Sequence, residues 1–135
     1  VVGVDLQPGK GEAQGPSAAP IHWLTQDMTA PECASRIAEI CPRFHAVLSD
    51  AAPKTTGNKW TDQQRSLALA NRVLELAEEL LMPGGTFYCK VFEGEDFKAL
   101  VERVRLRFGA VRIVKPKSSR AESREVFVLG QAFKK

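Results

Sequence analysis

Short apolar segments alternate with longer segments of helical periodicity along this chain of 135 residues. Strands that alternate with helices predict an α/β fold, with a mostly parallel sheet and helices on both of its faces. Because no helical pattern separates the last two apolar segments, the final strand is predicted to be antiparallel. The predicted strands are residues 1–5, 21–24, 44–48, 86–92, 111–114 and 125–133, and the predicted helices are residues 29–41, 62–82 and 95–108.

Local sequence signals mark two helix ends. Thr29 followed by Glu32 matches a capping box, so Thr29 is the expected N-cap of the first helix. Pro83 and the two glycines after it are expected to end the second helix.

Composition favours one globular domain spanning residues 1–135. Apolar residues make up 44% of the chain and charged residues 26%, which is ordinary for a globular protein, and no apolar run approaches the roughly 18 residues of a membrane span. The three cysteines are not closely paired, and neither CxxC nor HExxH occurs, so we expect no disulfide framework and no metal. We expect a monomer in the cytoplasm.

Three early strands lead into an aspartate, namely Asp5, Asp27 and Asp50. In an open α/β sheet, ligands bind outside the carboxyl ends of the strands, and an acid there commonly accepts the ribose hydroxyls of a nucleotide-like cofactor. A single aspartate at a strand end is more often a turn former, but three along one edge favour a nucleotide-type pocket. Neither GxGxxG nor a P-loop pattern is present.

Lys90 interrupts the apolar segment TFYCKVF, and a buried lysine is rare unless it is paired. Asp50 ends the preceding strand, and an antiparallel last strand would begin with Glu125 at the same edge. The three side chains are therefore predicted to converge, with burial lowering the pKa of Lys90 and the carboxylates raising it. The alternative is that Lys90 extends to solvent from an edge strand while Glu125 neutralises nearby arginines.

Cations concentrate toward the C-terminal end of a chain whose net charge is +3, since residues 112–124 contain five cations and one anion. Such a cluster suits a polyanionic partner, although a solvated, solubilising surface explains it equally well. Trp60 is a second candidate for partner binding, by stacking on a base, but packing against the following helix is the favoured interpretation.

Four segments of the chain resemble the FtsJ/RrmJ family of S-adenosylmethionine-dependent ribose 2′-O-methyltransferases. They are VVGVDLQP, LSDAAPKTTGN, LMPGGTFYCKVFEGEDF and VKPKSSRAESREVFVLGQAF, in the family's order and spacing. The resemblance implies a Rossmann-like class I methyltransferase sheet, S-adenosylmethionine as the cofactor and RNA as the partner. Large-subunit ribosomal RNA is the family's usual substrate, and transfer RNA is the main alternative.

The resemblance also implies roles for individual residues. Asp50, Lys90 and Glu125 match three members of the family's catalytic Lys-Asp-Lys-Glu set, so Lys90 is expected to deprotonate or orient a ribose 2′-hydroxyl. Phe127 stands where the family usually has a tyrosine. The expected cofactor-binding residues are Asp5, Leu6, Asp27, Met28 and Asp50. The expected RNA-binding residues are Lys54, Lys115, Lys117, Arg120 and Arg124.

The family's first βα unit and its first catalytic lysine have no counterpart in this sequence. In the family that strand is central, between the strands that end in Asp5 and Asp50. We therefore expect a gap, a distortion or unusual pairing in the sheet, together with weak cofactor binding and low activity of the isolated chain.

Two other functions remain open. A non-catalytic RNA-binding module on a degenerate methyltransferase scaffold would account for the missing lysine, whereas the retained Asp50, Lys90 and Glu125 favour an enzyme. A nicotinamide-dependent oxidoreductase would need a glycine fingerprint upstream and leaves Lys90 and Glu125 unexplained.

Overall fold

The computed structural model describes residues 1–9, 20–116 and 124–134. The chain divides into two compact units, Val1–Arg43 and Phe44–Lys135. Within these described parts of the chain, no helix is long and apolar enough to cross a membrane. The prediction of a single domain remains a prediction.

The first unit holds a small parallel sheet and one helix. Strand β1 (Val2–Asp5) pairs with β2 (His22–Thr25), so that Asp5 lies opposite Thr25. Helix α1 (Cys33–Ile40) follows. Both strands are short, apolar and β-branched or aromatic in part, as the sequence pattern requires.

The predicted N-cap of the first helix is wrong. Helix α1 begins at Cys33 with Glu32 as its N-cap and no side-chain capping bond. The backbone N–H and the hydroxyl of Thr29 instead donate to Oδ1 of Asp27, at 2.8 and 2.6 Å. Because this local turn already satisfies Thr29, the chain starts the helix one turn later.

The second unit carries a four-stranded sheet in the order β3-β4-β6-β5. Strands β3 and β4 are parallel, and β6 is antiparallel to both β4 and β5. The predicted mostly parallel sheet with an antiparallel last strand is confirmed. The elements are β3 (Phe44–Ser49), α2 (Lys59–Leu80), β4 (Leu81–Phe92), α3 (Phe97–Arg107), β5 (Phe108–Val114) and β6 (Glu125–Phe133).

Helix α2 begins and ends close to the predicted positions. It starts at Lys59 because Asn58 caps it, accepting a bond from Thr61 N at 2.9 Å. It ends at Leu80, and β4 begins at the next residue. The pairing of β4 with β3 is irregular near the start of β4. Gly84 in this segment has φ +85°, a conformation that favours glycine.

Helices α2 and α3 contact each other and pack on the same face of this sheet. They cover alternate residues of β4, namely Phe87, Cys89 and Val91, which are fully or almost fully buried. The expectation of helices on both faces concerned the sheet of the whole chain and stays a prediction. The helix-covered face is the apolar core, and the intervening residues of β4 lie on the opposite face.

The strands of the described residues thus form two sheets rather than one, β1-β2 and β3-β4-β6-β5. The expected gap in the sheet stays a prediction.

Candidate active site

Lys90 lies on the face of β4 that the helices leave uncovered. Its neighbours Cys89 and Val91 are buried in the core, so the alternation of the strand turns Lys90 the other way. The Lys90 side chain is 18% exposed to solvent. The interruption of an apolar segment by a lysine therefore reflects a strand with one packed face and one partly open face.

The sheet register brings Asp50 and Glu125 to Lys90. Ser49, the last residue of β3, lies opposite Cys89, so Asp50 follows at the level of Lys90. In the antiparallel pair, Glu125 lies opposite Phe92, two residues beyond Lys90 on the same face. The predicted convergence is present: Lys90 Nζ is 2.7 Å from Asp50 Oδ1 and 3.7 Å from Glu125 Oε2.

The two carboxylates keep the amine of Lys90 protonated. The hydrogen bond to Asp50 raises the pKa of Lys90, burial opposes this, and the charge of Glu125 adds to the rise. The ammonium form therefore predominates at neutral pH. Asp50 is the more exposed of the two carboxylates, since 78% of its side chain is exposed against 43% for Glu125.

An aromatic pair adjoins this trio of Asp50, Lys90 and Glu125. Lys90 Nζ lies 5.9 Å from the centroid of the Phe127 ring, within the range of a cation–π contact. Tyr88 stacks on Phe127 with ring centroids 4.6 Å apart and nearly parallel planes. Sequence reasoning did not single out Tyr88, although its spacing of two from Lys90 on a strand was the available signal.

The cofactor candidates of the first unit share one edge. Asp5 ends β1, and Gln26 N, just before Asp27, donates to the carbonyl of Asp5 at 2.8 Å. Oδ1 of Asp5 accepts from Gln7 N at 3.1 Å, and the hydrogen bonds from Thr29 lower the pKa of Asp27. Both carboxylates are exposed at the carboxyl ends of parallel strands, which fits the ribose hydroxyls of a nucleotide-like group.

The other two cofactor candidates differ in exposure. Leu6 is largely exposed and Met28 is half-buried. Asp50 belongs to the second sheet, so the prediction that all three aspartates line one edge stays a prediction. Among the residues that the structure describes, no group of three or more His, Cys, Asp and Glu side chains is placed to hold a metal ion.

The predicted RNA-binding residues fall into three groups. Lys54 and Lys115 are exposed. Arg124 is half-buried and contacts protein groups, because its Nη1 donates to the carbonyl of Lys59 at 3.2 Å. Lys117 and Arg120 lie outside the described residues. Trp60 is 63% exposed. Most of its surface therefore does not pack against the helix, and the favoured interpretation is wrong for that part.

The second unit thus combines an antiparallel strand between two parallel ones with a lysine held by two carboxylates, an arrangement compatible with a Rossmann-like methyltransferase. A family model for the FtsJ-like methyltransferases matches residues 1–133. The chain belongs to this family.

Individual relatives agree with the family assignment. Ribosomal RNA large subunit methyltransferase E of Desulfotalea psychrophila is 50% identical over 135 residues, which cover 100% of this chain and 67% of that protein. The protein of the same name from Anaeromyxobacter dehalogenans is 41% identical, covering 98% of this chain and 49% of that protein. The chain therefore spans between about half and about two thirds of the length of these relatives.

A solved structure shows the same fold. The crystal structure of a ribosomal RNA methyltransferase from Plasmodium falciparum aligns with a TM-score of 0.79 at 23% identity, covering 98% of this chain and 71% of that chain. The likeness extends across both sheets of the present chain.

Proposed function

We propose that this chain is part of an RNA methyltransferase that transfers a methyl group from S-adenosylmethionine to a ribose 2′-hydroxyl. The observation that carries the proposal is the ammonium of Lys90, held 2.7 Å from Asp50 and 3.7 Å from Glu125 at the sheet edge. Large-subunit ribosomal RNA is the proposed substrate, because the relatives described above are named for it.

Lys90 acts as a hydrogen-bond donor that orients the hydroxyl. Its pKa is raised, so proton abstraction by the neutral amine is disfavoured in the free protein. An ammonium with three N–H groups can donate to both carboxylates and still donate to a ribose oxygen. Much of the rate enhancement then comes from holding the reacting oxygen in place.

Asp50 is the proposed proton acceptor. A hydroxyl oxygen that gains a methyl group becomes strongly acidic and must lose its proton. The exposed carboxylate of Asp50, beside Lys90, accepts that proton, while Glu125 keeps the Lys90 ammonium in position. When bound, S-adenosylmethionine supplies a methyl group on a positively charged sulfur.

Asp5 and Asp27 are proposed to hold the cofactor through hydrogen bonds from its hydroxyl or amine groups. Their carboxylates are exposed at strand ends, and the lowered pKa of Asp27 keeps it ionised as an acceptor. Leu6 and Met28 would supply apolar contacts beside them. The weak cofactor binding expected of the isolated chain stays a prediction.

Lys54 and Lys115 are proposed to contact RNA phosphates. Such contacts give salt-dependent affinity with little sequence information, so they do not distinguish ribosomal from transfer RNA. A non-catalytic RNA-binding module would use the same cations, but it would not need the ion pairs of Lys90. The retained trio therefore favours the enzyme.

The test is a Lys90→Ala variant of the full-length protein, compared with Lys98→Ala, which removes an exposed lysine from α3. Methyl transfer is measured to unmodified large ribosomal subunits and to transfer RNA, and alkaline hydrolysis locates the methyl group, since a 2′-O-methyl blocks cleavage. Because misplacing the reacting group can cost about 100-fold, we expect a loss of that order for Lys90→Ala, with RNA binding retained and Lys98→Ala active.

Three outcomes would contradict the proposal in different ways. RNA binding without methyl transfer by the wild type would indicate a binding module. Label released as mononucleotides after alkaline treatment, rather than retained in alkali-resistant dinucleotides, would indicate base methylation. Full activity of Lys90→Ala would remove the lysine from the mechanism.

A further inference from the structure

The first turns of α2 carry a row of buried polar side chains. Asp62 is 2% exposed, and Gln63 and Ser66 are each 3% exposed. Buried polar groups are costly unless they are hydrogen-bonded. Each of these three binds a segment next to a member of the trio of Asp50, Lys90 and Glu125.

Asp62 holds the loop that follows Asp50. Its Oδ1 accepts from both the backbone N–H and the hydroxyl of Thr56, each at 2.8 Å, and its Oδ2 accepts from Gly57 N at 3.2 Å. Gly57 has φ +88°, so the loop turns sharply where it meets the carboxylate. The loop between Asp50 and the helix is therefore tied to the helix at its far end.

The start of β6 is tied to the same turn. Arg124, which precedes Glu125, donates to the carbonyl of Lys59 at 3.2 Å. Its guanidinium lies 5.5 Å from the centroid of the Phe92 ring. The hydrogen bonds from Thr56 and Gly57, and to a smaller extent the positive charge of Arg124, lower the pKa of Asp62 against the effect of burial, so this acid stays ionised.

The end of β4 is held by the other two polar residues. Ser66 Oγ accepts from Phe92 N at 3.0 Å, in a buried contact. With its amide oxygen toward the loop, Gln63 accepts from the N–H groups of Gly94 and Glu95, both at 3.2 Å. A side chain at position 94 would collide with Gln63, which explains the glycine there.

We propose that Asp62 is a positioning residue, which fixes the loop of residues 51–58 and thereby holds Asp50 against Lys90. The inference rests on the proposed function, because it assigns a purpose to the placement of Asp50. The side chain of Asp50 is largely exposed, so its position depends on how the backbone on either side is held. Before it, Ser49 is paired with Cys89 and accepts from Ala51 N at 3.2 Å. Further along the chain, the loop is held by Asp62. Asp62 itself contacts none of the trio.

A purely structural role for Asp62 makes a different prediction. An acid in the first turn of a helix stabilises the helix through its dipole, and its loss would lower stability without altering the trio. The pKa of Lys90 separates the two roles, because the hydrogen bond that Lys90 donates to Asp50 is the largest cause of its elevation. Displacement of Asp50 would lower that pKa.

The experiment compares Asp62→Asn and Thr56→Val with the wild-type full-length protein. Thr56→Val removes the hydroxyl, which donates to Asp62 at 2.8 Å and accepts from Asn58 N at 3.2 Å, and it leaves the charge of Asp62 in place. The pKa of Lys90 is followed by NMR with 13Cε-labelled lysine, assigned with Lys90→Arg. We expect it to fall by about one pH unit in Asp62→Asn and by less in Thr56→Val. In methyl-transfer assays we expect kcat to fall about tenfold, with KM changed less.

Glu78→Gln is the matched control. Glu78 lies near the other end of α2, where it pairs with Arg103 and Arg107 at 3.3 and 3.9 Å. The control is expected to lower the melting temperature while leaving the pKa of Lys90 unchanged. If Asp62→Asn does not fold, Thr56→Val alone decides.

An unchanged pKa of Lys90 in a folded Asp62→Asn or, failing that, in Thr56→Val would overturn the inference. This readout does not need turnover. A wild type that transfers no methyl group would therefore count against the proposed function, while the NMR result would still decide whether Asp62 positions Asp50.

Discussion

Lys90 shows how much chemistry a single residue can reveal before a structure is known. A charge inside TFYCKVF conflicts with an apolar strand unless a partner is near, and both partners were predicted. The direction of its pKa shift could not be predicted, because the 2.7 Å hydrogen bond to Asp50 raises the pKa more than burial lowers it. For Trp60, by contrast, the sequence did not predict the environment, because its sequence context does not reveal whether the ring is exposed or packed.

Trp60 is expected to bind RNA by stacking on an unpaired base. Its ring is 63% exposed in the first turn of α2, next to the carbonyl that Arg124 contacts. Because base stacking on an aromatic is worth about 1–3 kcal/mol, Trp60→Ala should weaken binding of a single-stranded oligoribonucleotide about 5- to 160-fold, and Trp60→Phe should retain most of it. Fluorescence anisotropy measures the affinity.

The control for Trp60 is Leu106→Ala, which removes an exposed apolar side chain from α3. It should bind as the wild type does. Equal affinity of Trp60→Ala and the wild type would show that the ring takes no part in binding.

At the scale of helices and strands, periodicity was sufficient for element type but not for the polar contacts between elements. The pattern of residues 62–82 predicted α2. The register of β3, β4 and β6 brings Asp50, Lys90 and Glu125 together. Asp62 and Ser66 were missed as buried residues, since a polar side chain on an amphipathic helix normally indicates its solvated face. Asp62 and Ser66 are buried because the neighbouring loop and strand cover that edge of the helix.

Ser66→Ala is expected to destabilise the protein through the β4 end rather than through α2. The substitution leaves Phe92 N without the acceptor it has at 3.0 Å in a buried site, which costs about 1–3 kcal/mol. Urea unfolding measures the loss. Arg65→Ala, at the preceding exposed position of the same helix, should change the free energy of unfolding by no more than about 0.5 kcal/mol, and a similar loss in both variants would argue against the Phe92 contact.

At the scale of the whole molecule, the separation into two sheets was expected only from the family resemblance. Periodicity alone predicts strands and not which of them pair, because pairing depends on contacts distant in sequence. The strand β6 illustrates the point. Its antiparallel direction followed from the missing crossover helix, but no local signal predicts its insertion between β4 and β5.

The two sheets are expected to differ in stability. A two-stranded sheet is marginal on its own, whereas β4 lies inside a four-stranded sheet with a buried face. Amide hydrogens of β1 and β2 should therefore exchange with solvent faster than those of β4 and β6, as measured by hydrogen exchange with mass spectrometry. Equal protection in both sheets would show that the chain unfolds as one cooperative unit.

The position of β6 also has a consequence for folding. Glu125 follows Lys90 only after a helix and a further strand, yet β6 pairs directly with β4. A polypeptide in which this pairing has not yet formed exposes the flank of β4 and has an incomplete set of charges around the amine of Lys90. The full set of charges would then be assembled only once this sequence-distant strand has docked.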